Sequence, residues 1–288
     1  AQDIFTLDLA TGDVSPLTAG NAFGSVASIV HDSAGARLLV SDNVNFGSGD
    51  IYAVSLADGS VAQLASDIVP FIDDLVLAGA TLYATSSAAG DAGAVDASEM
   101  GAWTATLWAT GLSYANGLAA FADGSLAVGT TATDFASGSV YRLAGAMDSD
   151  ADGVIEVAGG EGELLGRTTN FSGVGDLIVS DQDQVFVSQF GGSILQLDDG
   201  AFSPFATTIL AGGEIAYHDG AGDGAPNTGD FLPSRGTTDA LDIDEDIIAM
   251  LSAPSFFSNQ AGTGAVHAVS PDTAPALDVS LDALDFQT

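Results

Sequence analysis

The sequence predicts an all-β chain folded as a β-propeller, and three observations carry that reading. A strand–turn–strand phrase recurs along the chain, with alternating apolar residues on either side of an Asp-Gly or similar turn. Its second strands begin at Leu38, Leu82 and Leu126, 44 residues apart each time. That spacing falls within the roughly 40–50 residues that a four-stranded propeller blade occupies. Helix signals are weak throughout, and Gly is abundant, at 36 of 288 residues.

The clearest copy of the phrase opens on Ser113-Tyr114-Ala115-Asn116-Gly117-Leu118 and turns at Asp123-Gly124. Its second strand has counterparts at 38–41, 82–85, 185–188 and 247–250. A second phrase alternates with the first, at 3–9, 50–56, 139–143, 193–197 and 265–269, with a poorer copy at 102–108. The first phrase supplies the inner strand pair of a blade and the second the outer pair. Because the chain opens on an outer phrase, its N-terminal strands are expected to complete the last blade and close the ring. Closure removes unpaired strand edges. Six four-stranded blades fit best. Five or seven also accommodate the pattern, since 210–238 holds one inner-strand candidate, at 213–217, and no evident partner. Residues 1–288 read as one domain, with a strand-like tail over 277–288 that either closes the ring or pairs with a neighbouring molecule.

The charge balance narrows the partners. The formal net charge is -35, from 39 acids against 4 bases, all of them Arg. Nothing here neutralises phosphates, so nucleic acid and anionic membrane surfaces are excluded as expected partners. No apolar run approaches the roughly 18 residues that would span a bilayer, so no membrane insertion is expected. Such a chain repels itself unless cations or salt screen it, which suits a saline setting. There are no cysteines, so neither disulfides nor thiolate metal sites are available. The start at Ala1-Gln2-Asp3 suits the mature end of an exported chain, and the expected location is secreted, extracellular or periplasmic.

The most specific motif is Asp148-Ser149-Asp150-Ala151-Asp152-Gly153-Val154-Ile155-Glu156. Asp at positions 1, 3 and 5, Gly at 6 and an aliphatic residue at 8 form the first half of a calcium loop of the EF-hand type. Alternate carboxylates face one ion, and the Gly allows the sharp turn. Gly159 stands where the closing bidentate Glu would be, so Glu156, Glu161 or Glu163 is expected to complete the shell. Strand-like flanks make this a stapled loop rather than a sensor; the alternative is a solvated acidic turn. A second acidic, Gly-rich stretch at 218–230 offers Asp219, Asp223, Asn227 and Asp230 at irregular spacing.

A third constellation is positional. Inner strands aligned on Leu75, Leu118, Leu177, Ile215 and Leu241 place Asp73, Asn116, Gly175, Gly213 and Asp239 two residues earlier. Asp74, Gly117, Asp176, Glu214 and Ala240 fall one residue earlier. Inner strands of a propeller all start at one end of the channel, so these oxygens would converge, and carboxylates gathered without bases need a cation. A channel metal, Ca²⁺, is expected on Asp73, Asn116 and Asp239, with Asp74, Asp176 and Glu214 as the second set. The alternative is that these are strand-start turn residues facing water.

Asn116-Gly117-Leu118 followed by Asp123-Gly124 resembles the Asn-Gly-Leu and Asp-Gly phrase of the gluconolactonase/regucalcin and strictosidine-synthase-like six-bladed propellers. The repeats are more loosely similar to NHL repeats. The resemblance implies that Asn116 is a ligand of a central metal, with Asp73 and Asp239 as partners. It also implies an acid serving as general base in lactone hydrolysis.

Other signatures point to packing. His31, His218 and His267 are scattered, and Trp103 and Trp108, read as one strand, face opposite sides. Asn170-Phe171-Ser172 is a glycosylation sequon. Two functions follow. One is a secreted calcium-binding propeller acting as a binding or structural module, as a self-associating subunit of an extracellular assembly or bound to a surface polymer. The other is a metal-dependent hydrolase of the lactonase type, with its site at the channel mouth.

Overall fold

In a computed structural model the described residues are 3–8, 14–20, 22–44, 48–69, 71–86, 93–132, 136–168, 174–180, 182–189, 193–207, 215–217, 231–235, 238–244, 247–252, 265–267 and 278–280, with side-chain detail as far as Phe205 except at 7–8, 14, 44, 48, 69, 93–99 and 193. Strands β1 (Asp3–Asp8) and β2 (Val14–Pro16) open the chain. Blade I is β3 (Val26–Asp32), β4 (Arg37–Val44), β5 (Ser48–Ser55) and β6 (Val61–Val69). Blade II is β7 (Ile72–Ala78), β8 (Thr81–Ser86), β9 (Gly93–Glu99) and β10 (Thr106–Leu112). Blade III is β11 (Ala115–Ala120), β12 (Leu126–Thr131) and β13 (Gly138–Leu143), then, after the short β14 (Ile155–Glu156), β15 (Glu163–Thr168). Blade IV is β16 (Val174–Val179), β17 (Val185–Gln189), β18 (Ser193–Asp198) and β19 (Ala201–Thr207).

The last strands interleave. They are β20 (Ile215–Tyr217), β21 (Phe231–Arg235), β22 (Thr238–Asp244), β23 (Ile247–Ser252), β24 (Ala265–His267) and β25 (Asp278–Ser280). β24 pairs with β21 and carries β25, so the chain's last strands complete the group begun by β20. The pair β22–β23 is completed from the other end of the chain. β1 runs antiparallel to β23 from Asp3↔Ser252 to Asp8↔Ile247, with β2 outside it. The N-terminal strands close the ring, as the outer phrase at the chain start predicts. The inner-strand candidate at 213–217 finds its partner in β21, which the turn-rich sequence after it conceals.

The innermost strands β3, β7, β11, β16, β20 and β22 pack one on the next around a closed circuit. In blades I–IV apolar side chains alternate between the two faces of the sheet, so these cores lie between neighbouring blades. Leu38 and Val40 turn to a cluster with Ile4 and Phe23, while Leu39 between them packs with Ile72, Leu75 and Leu82 of blade II. Leu118 and Val128 face Ala109 and Leu112 of blade II, and Ala119 and Ala127 face Val174, Leu177 and Val187 of blade IV. β12 is buried along its whole length, which is why its sequence is an unbroken apolar and Thr run.

One expectation fails at the outer edge of blade II. Its third strand is β9, and the segment read as a poor copy at 102–108 splits. Trp103 follows the turn at 100–102 with φ +51° and packs on the blade I–II core, while Trp108 lies on β10 with its ring centroid 4.9 Å from that of Tyr83. Packing is their role, but they do not share a strand. Among the described residues no helix is long and apolar enough to cross a membrane.

Candidate functional site

Two acidic assemblies stand apart from the apolar cores: a buried one at the channel wall and an exposed one between β13 and β15.

The first begins with a β-bulge. Register between the first and second strands slips between Val26 and Ile29, Ile72 and Leu75, Ala115 and Gly117, Val174 and Asp176, and Thr238 and Leu241. A bulge frees a residue from the ladder and re-aims its side chain. Directly before the aliphatic residue, at the slip or beside it, stand Ser28, Asp74, Gly117, Asp176 and Ala240. The second strand satisfies the freed amides. Ser28 donates its N–H to Ser41 Oγ at 2.8 Å, and Asp74 donates to Thr85 Oγ1 at 2.9 Å.

At Ser28 and Asp74 the side chain reaches the next blade. Ser28 Oγ donates to Asp74 Oδ1 at 2.8 Å and accepts the Leu75 N–H at 3.2 Å. Asp74 Oδ2 accepts the Leu118 N–H at 2.7 Å, and Asp74 Oδ1 accepts its neighbour Leu75 N–H at 2.7 Å. Blade III cannot continue the chain, because Gly117 has no side chain; the Leu177 N–H goes to Asp176 Oδ1 at 2.6 Å. A Cβ on Gly117 would lie 2.9 Å from both Cβ and N of Leu177, so the close approach of β11 to β16 dictates this Gly.

Burial pushes the Asp74 carboxyl well above its ordinary value. The charge of Asp176 pushes it the same way, and the Ser28 hydroxyl and the amides of Leu75 and Leu118 offset only part of the rise. The second set of sequence candidates, Asp74 and Asp176, therefore shares the channel wall. Asp73 and Asn116 sit one residue earlier and are half-buried. Asn116 Nδ2 donates to Thr131 Oγ1 and to the Val174 carbonyl, each at 3.2 Å, so its amide ties blade III to blade IV; Oδ1 is the atom a cation would take. Asp239 lies on β22, at the matching bulge. Glu214 and the second acidic stretch at 218–230 lie outside the described residues.

Sequence reading missed two participants. Ser28 emerges once the alignment is extended to Ile29, which lacks the usual Leu. Asn43 brackets Ile72 with its amide, donating to the carbonyl and accepting the N–H, both at 2.8 Å. Its signal is only an Asn at the end of a second strand.

The second assembly follows β13 through one 3₁₀ turn, Gly145–Met147, where the sequence suggested strand on both flanks. Carboxylate oxygens of Asp148, Asp150 and Asp152 lie within 4.8 Å of one another, as do those of Asp150, Glu156 and Glu161. The turn organises itself around Asp148, whose two oxygens accept the N–H groups of Ala151 at 2.7 Å and Gly153 at 2.8 Å. Gly153 takes φ +94°, the left-handed conformation that position 6 needs. Asp152 accepts the Val154 N–H at 2.9 Å. Glu161 Oε1 accepts both the N–H of Ser149, at 2.7 Å, and its hydroxyl, while Oε2 accepts the Glu156 N–H at 2.8 Å. These donors, the Ser149 hydroxyl first, hold the Glu161 carboxyl down at about 2. The hydrogen bond to Glu161 raises the Glu156 carboxyl, and slight desolvation and the nearby acids add to the rise. Of the three residues expected to close the shell, Glu156 and Glu161 join the group, while Glu163 points outward on β15 opposite Arg142.

No family model matches the chain, and no curated protein matches it. Solved structures do. A TolB candidate from Agrobacterium tumefaciens superposes with TM-score 0.64 at 12% identity, over 97% of this chain and 88% of that one. A gluconolactonase from Xanthomonas campestris gives TM-score 0.56 at 16% identity, over 84% and 76%. A PQQ-bound aldose sugar dehydrogenase from Streptomyces coelicolor gives TM-score 0.55 at 12% identity, over 87% of each chain. All are β-propellers, and similarity at this level of identity speaks to fold alone.

Proposed function

We propose that the chain is a calcium-binding, six-bladed β-propeller that acts as a binding or structural module outside the cytoplasm, in a secreted or periplasmic setting, as a subunit of an extracellular assembly. The observation that carries this reading is the acidic loop. Asp148, Asp150 and Asp152 occupy alternate positions of a calcium-loop turn with their oxygens already gathered, and Asp150 is shared with Glu156 and Glu161. Six four-strand groups and a ring closed by β1 support the blade count. The near absence of bases supports divalent cations as partners and argues against nucleic acid.

Titration calorimetry with Ca²⁺ tests the loop, alongside thermal melting in Ca²⁺ and in EDTA. At about a hundred times Kd the ion should stabilise the fold by about 2.7 kcal/mol. Asp148→Asn and Asp152→Asn should abolish that increment. A melting temperature indifferent to chelation ends the reading.

A lactonase reading is the second. It rests on the proximity of Asp74 and Asp176 at the channel wall and on the fold shared with a gluconolactonase. Here a divalent ion would sit at the channel mouth near Asn116, Asp73, Asp176, Asp239 and Glu214, and a carboxylate would act as general base. Turnover of a simple aldonolactone that disappears in Asn116→Ala and Asp176→Asn supports it; no turnover by the unmodified protein removes it.

A further inference from the structure

The connection between β13 and β15 is unlike the third-to-fourth strand links of blades I, II and IV. In blades I and IV that link is a short turn, around Asp58-Gly59 and Asp199-Gly200. In blade III the chain leaves its own sheet and crosses to the neighbour. Ile155 and Glu156 pair in parallel with Ala109 and Thr110 of β10, the outermost strand of blade II. Ile155 is 1% exposed and packs with Ala109 and Leu112 of blade II and with Leu143 of blade III, and Val157 leans on the same cluster. The segment thus covers a strand edge that would otherwise be open.

One side chain ties the two ends of that path together. Glu161 takes Ser149 on one oxygen and the Glu156 N–H on the other, so a single carboxylate ties the start of the acidic turn to the strand that grips blade II. The Glu161 N–H returns to the Glu156 carbonyl at 3.2 Å, closing a small ring about that residue.

We propose that residues 144–162 form a clip that fastens blade III to the outer edge of blade II, with Glu161 as its latch. Without Glu161, the amides of Ser149 and Glu156 lose their acceptors, and a two-residue ladder with the packing of Ile155 and Val157 is left to keep the segment down. Asp150 and Glu156 also belong to the carboxylate group, so a bound ion would tighten the same clip; that last consequence rests on the calcium reading.

Hydrogen exchange followed by mass spectrometry on the whole chain tests the clip, in EDTA and in Ca²⁺. Glu161→Gln should speed exchange about tenfold or more in 106–112 and 155–158, with 37–44 and 185–189 unchanged. Ile155→Ala should give the same local pattern with every carboxylate intact. Ser149→Ala, which removes one donor and strains nothing, should give a weaker version in the same two segments. Wild-type exchange in Glu161→Gln overturns the proposal, as does an increase spread evenly over all blades in all three variants. Exchange that rises in EDTA but not in Glu161→Gln also overturns it, because the ion would then be the latch, and the calcium reading would stand without it.

Discussion

The carboxylate of Asp74, on the innermost strand of blade II, accepts the backbone N–H of Leu118, on the innermost strand of blade III, at 2.7 Å. On its other oxygen the same group takes the Ser28 hydroxyl of blade I at 2.8 Å. One side chain therefore joins three consecutive blades at the channel wall, and it does so buried and beside the charge of Asp176.

Asp74→Ala should be among the most damaging single changes in the protein. It strands the buried Leu118 amide and the Ser28 hydroxyl, and a buried donor without an acceptor costs about 1–3 kcal/mol. Asp74→Asn keeps one acceptor oxygen and avoids burying a charge, so it should cost much less at neutral pH. The two also differ in pH dependence. The folded-state value of Asp74 is raised, so between the ordinary carboxylate range and that value the native chain holds a proton the unfolded chain has released. Stability from this group is full below the unfolded value and fades as pH rises through the folded one. Urea midpoints over mildly acidic to neutral pH should fall for the wild type relative to Asp74→Asn. Parallel curves would falsify the assignment.

The architecture was legible because a propeller repeats: the period of the second strands and the outer phrase at the chain start were enough to expect a ring closed by the N-terminus. The oxygen-bearing position before Leu75 and Leu177 was legible for the same reason. What stayed hidden was set by neighbours in space. A bulge cannot be read from Val26-Ala27-Ser28-Ile29 alone, and only the strand register sets Ser28 opposite the place that Asp74 takes in the next blade. The reach of Ile155 to blade II is a long-range pairing inside a stretch whose sequence advertises only an acidic turn. β21 pairs with β24 across an intervening hairpin, and no local pattern announces such an order.

Gly117→Ala tests why the Asn-Gly-Leu phrase contains Gly. The added Cβ would meet the backbone nitrogen and Cβ of Leu177 at 2.9 Å, and neither can swing away. Overpacking of this kind costs about 1–3 kcal/mol. Denaturant unfolding should show a loss of that size. Gly124→Ala makes a useful contrast: its Cβ would meet nothing within 4 Å, so its cost comes from the left-handed φ of +83° alone. If Gly117→Ala is neutral, the two innermost strands are not in the contact described.

Arg37 holds down a buried acid. Asp32 is 3% exposed, and its Oδ2 receives Arg37 Nε at 2.8 Å while Oδ1 takes the Gly35 N–H at 3.0 Å. Burial pulls the carboxyl upward, but the Arg37 hydrogen bond, the Gly35 amide and the Arg37 charge together bring it below its ordinary value. A depressed carboxyl contributes stability above its unfolded value and loses it as pH falls through the folded one. Arg37→Met should therefore cost about 1.5–3 kcal/mol at neutral pH, the usual range for a hydrogen bond to a charged group. The deficit should shrink once both forms are protonated, in strong acid. An equal deficit at both pH values would refute the pairing as its source.

The remaining charge demands its own test. Two of the four Arg are committed to Asp32 and Asp123, so the net charge of -35 is left to the solvent. At about 0.1 M ionic strength the screening length is about 10 Å, comparable to the spacing of charges over a small protein, and at 1 M it falls to about 3 Å. Self-repulsion should therefore weaken continuously over that range, and melting temperature should climb with NaCl or KCl without saturating at low concentration. A specific calcium site behaves differently: its effect saturates near its own Kd, persists in high salt and vanishes with EDTA. Both effects should be present and separable, with Asp148→Asn removing only the saturable part. Melting that ignores monovalent salt would mean the acids are already neutralised by tightly held ions, and the loop at 148–161 would then be one site among many.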